Sequence, residues 1–402
     1  MVCAAGHDRR APRPQLEVAD VFRQYGHTLP TLSENQARTA RAITSCRTAV
    51  LGGHVQECDH CGRRETSYNS CRNRHCPKCQ GLDEVRWVER QQEALLPIEY
   101  HHVVFTIPAV LHPLVRSNPR VGYRLLFAAA AETLKEVALR PSNLGARIGF
   151  TAVLHTWTQT LGYHPHIHCI VTGGGLSPEG TRWVPAKPRF LFFVGVLGRV
   201  FRGKLLSKLE KALDKGELTS REAAPKAALQ SAARKDWNVY SKPPFTGPEQ
   251  VLRYLGRYTH KIAISNHRLV SRDDGKVTFR WRDRADGNQV KTMTLDAVEF
   301  LRRFFSHVLP PRFMRIRHCG LQANTCREQR LETCRALLGV GLIAPDHHGG
   351  DQTVQESWQE LLLRVTGKDV SRCTHCGQGV LRVVETLEKP PNSARAPPIH
   401  PP

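Results

Sequence analysis

Three groups of residues in this chain have types and spacings suited to chemistry. The first is His166-Ile167-His168. In a β-strand alternate side chains share a face, so His166 and His168 point one way and Ile167 points to an apolar core. Two imidazoles on one face of a rigid strand offer two ligands for a metal. His164 stands at the entry to the same strand. Gln159, seven residues before His166, is the expected third ligand, carried back by a turn through Leu161-Gly162; His155 is the second candidate. Two nitrogens and one amide oxygen leave positions open for a substrate phosphate, and Mg²⁺ or Mn²⁺ would serve.

The second group lies in RYLGRYTHK, where Tyr254 and Tyr258 are four residues apart. At that spacing both phenols share one helix face. Each has a cation three positions on, Arg257 and Lys261, and Arg253 precedes the first. A phenol with a pKa of about 10 is a weak nucleophile at neutral pH. A metal that polarises the target phosphate, with cations that steady the phenolate, lowers the barrier. Taken alone, the pair would read as two core tyrosines.

The third group is CDHCGRRETSYNSCRNRHCPKC. Cys58 and Cys61 form one CxxC and Cys76 and Cys79 another. Together they are expected to hold one structural Zn²⁺ through four thiolates, a closed shell with no room for catalysis. Cys71 and His75 are possible extra ligands. Arg72 and Arg74 beside the knuckles are candidate DNA contacts. A further CxxC at Cys373 and Cys376 has no partner pair in its own neighbourhood; Cys319, Cys326, Cys334 or His375 are the nearest candidates.

Elements must position these groups. HHVVFTI (101–107), IGFTAVLHTW (148–157) and the strand near 166–172 alternate with helices near 82–96, 120–139, 190–213 and 218–235. The tyrosine helix follows Pro248; a hairpin over 276–294 and a helix near 295–307 follow that. Strands interrupted by helices predict an α+β fold, an antiparallel sheet with helices packed on it, preceded by a small helical and zinc-knuckle domain. The expected division is 15–97 for the cysteine-rich unit, 98–310 for the histidine and tyrosine unit, 311–385 for a C-terminal helical region with a CxxC, and 386–402 for a disordered Pro-rich tail. Lys and Arg number 58 against 36 Asp and Glu, a net charge of +22, which calls for a polyanionic partner. No apolar run spans a bilayer and no secretory leader opens the chain, so a cytoplasmic protein with reduced or metal-bound cysteines, and no membrane partner, is expected.

The ordered set resembles the HUH (His-hydrophobic-His) endonuclease superfamily. It rests on His166-Ile167-His168, Tyr254-x-x-x-Tyr258 and the strand Val104-Phe105-Thr106-Ile107. Within it the chain closely resembles the insertion-sequence-91 family of two-tyrosine rolling-circle transposases. The cysteine block, LHTWTQTLGYHPHIHCIVTGGGLS, RYLGRYTHK and RIRHCGLQAN carry that likeness over roughly 15–385. The resemblance implies a sheet with the histidine pair on a central strand and the tyrosines on a facing helix. It implies nicking and rejoining of single-stranded DNA at element ends and target through a 5′-phosphotyrosine, with Lys261 matching a YxxK pattern. No GxxxxGK[ST] segment is present, so a host helicase and the replication machinery would be partners. Two residues depart from the family pattern. Cys319 stands where an aromatic residue is usual, and Gln159 is an amide where many relatives carry a carboxylate.

Two other readings compete. A non-catalytic zinc-dependent DNA-binding protein explains charge and cysteines but leaves the histidines and tyrosines without a role. A hydrolase that activates water at the histidine metal predicts cleavage with no covalent adduct.

Overall fold

The computed structural model describes residues 14–79, 81–219, 225–245, 250–251, 256, 263–339 and 356–390. Tyr254, Tyr258, Lys261, Arg253 and Arg257 lie outside the described residues, as do 1–13 and the Pro-rich tail over 391–402.

The centre is an antiparallel sheet. Its strands are β3 (Tyr100–Thr106), β4 (Arg147–Trp157), β5 (Tyr163–Leu176), β6 (Trp183–Pro185), β7 (Val239–Phe245) and β11 (Ile316–Gly320). The order is β11-β4-β5-β3-β7, with β6 on β5. One face is apolar by alternation: Val103, Phe105, Ile167, Cys169, Val171, Phe150, Ala152 and Leu154 share one core. Two long helices, α5 (Pro119–Leu139) and α6 (Val194–Asp214), pack there through Leu126, Ala130, Leu134, Leu197, Phe201 and Leu205. Pro119 opens α5 at a position where no N–H is needed. This matches the expected α+β class. β5 runs to Leu176, past the stop expected at Gly173. A Cβ on Gly173 would lie 2.7 Å from the Glu99 carbonyl and one on Gly174 2.7 Å from that of Val184, so the glycines admit neighbouring backbone.

β7 is not legible in the sequence as a strand because it contains Pro243-Pro244. It lies at an edge of the sheet, where a missing N–H is tolerated. The C-terminal part, expected to be helical, supplies β11 to the main sheet and β12 (Leu381–Leu387) to a separate one. Its helices are α9 (Arg327–Leu337) and α10 (Trp358–Thr366).

A second core joins distant segments. Helices α1 (Val18–Tyr25) and α2 (Glu34–Ser45) pack against α8 (Ala297–Phe305) and the sheet β8 (Leu269–Asp273), β9 (Lys276–Asp283) and β10 (Gln289–Asp296). Ser33 caps α2 by accepting from Gln36 N while Gln36 returns to Ser33 N. Phe22 meets Phe304 and Phe305 edge-on, at 5.5 and 5.2 Å. Segment 269–305 therefore shares its core with the front helices. Among the described residues no helix is long and apolar enough to cross a membrane.

Histidines lock this front core to the sheet. His75 Nε2 accepts the Leu309 N–H at 3.1 Å, and its Nδ1 meets Asn73 Oδ1. Both ring nitrogens of His75, a possible extra zinc ligand by sequence, thus face other groups, and it stands outside the four-cysteine cluster beside it. His307 Nε2 donates to the Leu161 carbonyl at 3.1 Å and its Nδ1 meets Thr156 Oγ1 at 3.2 Å. Burial lowers His75 to about 3, helped by Arg74 and Arg315, and lowers His307 to about 4. In the unfolded chain both return to about 6.5. Between pH 6.5 and 4 the unfolded state binds protons that the folded state refuses, so stability falls as pH falls through that window and is flat above it. Each histidine contributes up to about 1.4 kcal/mol per pH unit. The urea midpoint is expected to drop clearly between pH 7 and pH 5, with zinc content tracked in parallel. A midpoint unchanged over that range, with zinc retained, would contradict this assignment.

Candidate metal centres and the histidine face

The opposite face of the central sheet carries the histidines. β4 and β5 pair with His155 opposite His166 and Val153 opposite His168. Directly opposite residues in an antiparallel pair share a face. His155, His166 and His168 accordingly converge, with ring nitrogens within 4.8 Å of one another. Their ring centroids lie 4.4–5.5 Å apart. His155 and His168 are buried and His166 is half-buried, so the cluster opens on one side.

Neighbouring groups set the tautomers. His166 Nδ1 donates to the His164 carbonyl at 2.6 Å, which leaves its Nε2 lone pair for a metal. His168 Nδ1 lies 2.8 Å from His102 Nε2, so His168 can donate there and keep Nε2 as a ligand. Burial lowers His166 to about 4 and drives His168 well below the usual imidazole range. Burial lowers His102 to about 3, and the charges of Lys242, His166 and Arg284 add to this. Neutral imidazoles have no proton to displace on metal binding. The donor set thus fits a divalent ion that accepts nitrogen.

Gln159 is not part of this cluster's strand pair. It sits exposed in the turn after β4, and its carbonyl accepts from the Arg268 guanidinium. The third imidazole at the cluster is that of His155. Sequence spacing locates the turn but not the register, which alone decides who faces His166.

His102, on β3, is a residue that the sequence motifs do not single out. β3 aligns Val104 with His168 and Thr106 with His166, so residues 102, 104 and 106 share the histidine face. Alternation along 101–107 carries that signal. Lys242 on β7 pairs with His102, and Arg284 in the β9–β10 turn is near enough to lower His102, His166 and His168. Both cations are exposed.

The segment that carries the tyrosines touches this face at the residues described. Val251 is fully buried in one cluster with Tyr100, Val153 and Ile170, beside Trp87, Phe245 and Ile316. Gly256, between the two tyrosines in sequence, meets helix α3 (Gly81–Glu93): a Cβ there would lie 3.1 Å from Val88 Cγ2 and 3.3 Å from Glu84 Oε1.

A groove of about 990 Å³ runs along the edge strand β11, lined by Trp87, Arg120, Arg124, Arg312, Arg317 and His318 among others. The Arg317 guanidinium lies 4.2 Å from the Phe127 ring centroid. Cys319, half-buried on β11 opposite Phe150, packs at the margin of the main core.

The cysteines group differently from the expected single tetrad. Cys46, Cys71, Cys76 and Cys79 form one cluster, and Cys58, Cys61, Cys373 and Cys376 another. The reason is a hairpin that the cysteine spacing does not reveal. β1 (Gly53–Cys58) and β2 (Arg64–Tyr68) pair, with the first CxxC at their turn. The Arg47 N–H bonds the Asn69 carbonyl at the hairpin root, beside Cys46 and Cys71. Five paired residues at about 3.3 Å each put tip and root roughly 17 Å apart, too far to share a metal. In the root cluster Cys46 Sγ and Cys71 Sγ lie 3.6 and 3.7 Å from Cys79 Sγ. Cys46 carries no sequence signal because it stands alone, at the C-cap of α2.

Of the expected DNA contacts, Arg72 is exposed. Arg74 is half-buried and donates to the Phe313 carbonyl at 2.6 Å, so it serves as a structural pin. Arg268 is likewise half-buried, donating to the Arg280 carbonyl at 2.7 Å.

Two family models match the chain: one described as "Putative transposase" over residues 149–330 and one described as a transposase zinc-binding domain over residues 17–107. The chain is 47% identical to "Putative transposase y4qJ" of Sinorhizobium fredii, over 92% of this chain and 96% of that protein. It is 27% identical to the transposase for insertion sequence element IS801 of Pseudomonas savastanoi pv. phaseolicola, over 91% and 88%. A solved conjugative relaxase, TRWC in complex with oriT DNA, matches 39% of this chain and 68% of its own at 13% identity and a TM-score of 0.22. A score that low carries no inference about this chain.

Proposed function

Because this chain belongs to the insertion-sequence-91 type of transposases, with a zinc-binding domain at its front and DNA as its partner, we propose that it is an HUH-type enzyme. It nicks and rejoins single-stranded DNA through a 5′-phosphotyrosine and moves its element by rolling-circle transposition. The observation that carries this reading is the three-imidazole cluster on the sheet face where Val251, three residues before Tyr254, is packed.

His155, His166 and His168 would hold one divalent cation, which when bound withdraws charge from a phosphate oxygen. All three donors are nitrogens, which favours Mn²⁺ over the oxygen-seeking Mg²⁺. His102 and the His164 carbonyl orient two of the rings. Tyr254 or Tyr258 attacks phosphorus in line. The phenolate O–P bond forms, the P–O3′ bond breaks, and the departing 3′ oxygen takes up a proton. The second tyrosine serves the second strand transfer. Rejoining reverses the step, a 3′-OH attacking the phosphotyrosine and returning the phenol. Lys261, with Arg284 and Lys242, supplies positive charge for phosphate and phenolate. Unwinding falls to a host helicase, and resynthesis to the replication machinery.

The test is a covalent-adduct assay on purified protein with single-stranded DNA from the element's ends. A Mn²⁺-dependent band of protein joined to the DNA 5′ end on a denaturing gel is the expected result. Cleavage without an adduct would replace this reading with a water-activating hydrolase. DNA binding without cleavage would leave a zinc-dependent binding protein.

A further inference from the structure

The family's zinc-binding domain ends at residue 107, so it contains only half of the hairpin-tip cluster. The other half arrives from far along the chain, Cys61 and Cys373 being 312 positions apart. We propose that Cys58, Cys61, Cys373 and Cys376 bind a second zinc ion, which clasps the C-terminal end of the chain onto the front hairpin.

The sulfur geometry is the first argument. Zn–S bonds of about 2.3 Å in a tetrahedron set S···S edges of about 3.8 Å. Cys58 Sγ lies 3.7 Å from Cys376 Sγ, and Cys61 Sγ lies 3.8 Å from Cys373 Sγ. A disulfide would hold such pairs at about 2 Å, so these are four separate thiols gathered round a centre. All four sulfurs are within 4.8 Å of one another, which fills a tetrahedral shell and makes the site structural.

The backbone is the second argument. The two knuckles repeat each other. Gly62 N donates to the Cys58 carbonyl and Gly377 N to the Cys373 carbonyl, both at 3.0 Å. Gly62 has φ +69° and Gly377 φ +67°, a conformation that favours glycine directly after each CxxC. The Gly379 N–H points at Cys376 Sγ at 3.4 Å, as a donor to a thiolate does. A Cβ on Gly379 would lie 2.3 Å from Cys58 Sγ, so only glycine lets the C-terminal knuckle close on the hairpin.

The surrounding pairing is the third. β12 runs antiparallel to β1 from Cys58↔Leu381 to Gly53↔Leu387 and completes a sheet in the order β12-β1-β2. Asp59 Oδ1 accepts the Val380 N–H at 2.7 Å and Asp59 Oδ2 meets Arg382 at 3.3 Å. Strand pairing between the two chain ends is thus built to converge on the four sulfurs. A three-stranded sheet with largely exposed β2 and β12 has little core of its own, which is where a metal contributes most to folding.

Full-length protein purified without chelator is expected to carry two zinc ions per chain by elemental analysis. Cys373→Ser/Cys376→Ser is expected to carry one, held by the Cys46 cluster, and to expose the C-terminal strand to limited proteolysis. A wild-type content of one zinc, or a double variant that keeps two, overturns the proposal. Cobalt(II) substitution of the wild-type chain gives a reading free of any variant: thiolate-to-cobalt absorption corresponding to eight thiolates per chain supports the clasp, and four overturns it. Neither measurement depends on strand transfer, so the outcome is separate from that of the adduct assay.

Discussion

Replacing Tyr254 and Tyr258 together by Phe is expected to abolish the covalent adduct, a loss of at least about 10³-fold in strand transfer, while leaving zinc content and DNA binding intact. The phenol oxygen is the only atom removed from each side chain, so ring packing in either environment is conserved. A phenol near pKa 10 reacts at neutral pH only where charge on phosphate and phenolate is offset. On the proposed mechanism the histidine cluster and the cations Lys242 and Arg284 would meet that need on the sheet face where Val251 is buried. The single variants Tyr254→Phe and Tyr258→Phe should each impair transfer, and whichever abolishes first-strand cleavage identifies the first nucleophile. Gly256, between the tyrosines in sequence, lies against α3, within the span that matches the zinc-binding domain. A double variant that still forms adduct at wild-type levels would remove the tyrosines from the mechanism.

The parts of this site that are legible in the sequence are those governed by local period. His166 and His168 share a face because a strand repeats every two residues, and that holds wherever the strand is packed. The class of fold follows from the order of strands and helices. What sequence spacing does not contain is pairing between distant segments. Cys58 and Cys61 read as partners of Cys76 and Cys79 because the pairs are close in sequence, yet a hairpin of five paired residues holds them apart and brings in Cys373 and Cys376 instead. Cys71 reads as surplus and Cys46 gives no signal for the same reason: single cysteines join a cluster only through the packing of α2 beside the knuckle. His75 is drawn toward zinc by its neighbours in sequence, while the Leu309 N–H, from beyond the far end of α8, claims it. β7 is hidden by its prolines, and the contact of Phe22 with Phe304 joins the front of the chain to its last third, beyond the reach of any periodicity.

The third metal position gives the second large effect. His155→Ala is expected to lower Mn²⁺-dependent adduct formation by at least about 100-fold, and Gln159→Ala by no more than a few-fold. The difference rests on register. His155 stands opposite His166 in the ladder, its ring 4.4 Å from that of His168, whereas Gln159 lies exposed in the turn with its carbonyl engaged by Arg268. His155 also stacks on Trp157 at 4.7 Å, so truncation to Ala opens a buried space. His155→Gln keeps most of the volume and offers an oxygen in place of nitrogen. If His155 is a ligand, that variant should recover part of the activity and shift metal preference from Mn²⁺ toward Mg²⁺, since oxygen suits the harder ion. A purely structural His155 would respond to restored volume alike with either metal. Wild-type adduct in His155→Ala beside its loss in Gln159→Ala would return the third position to the turn, and with it a mixed nitrogen and oxygen site.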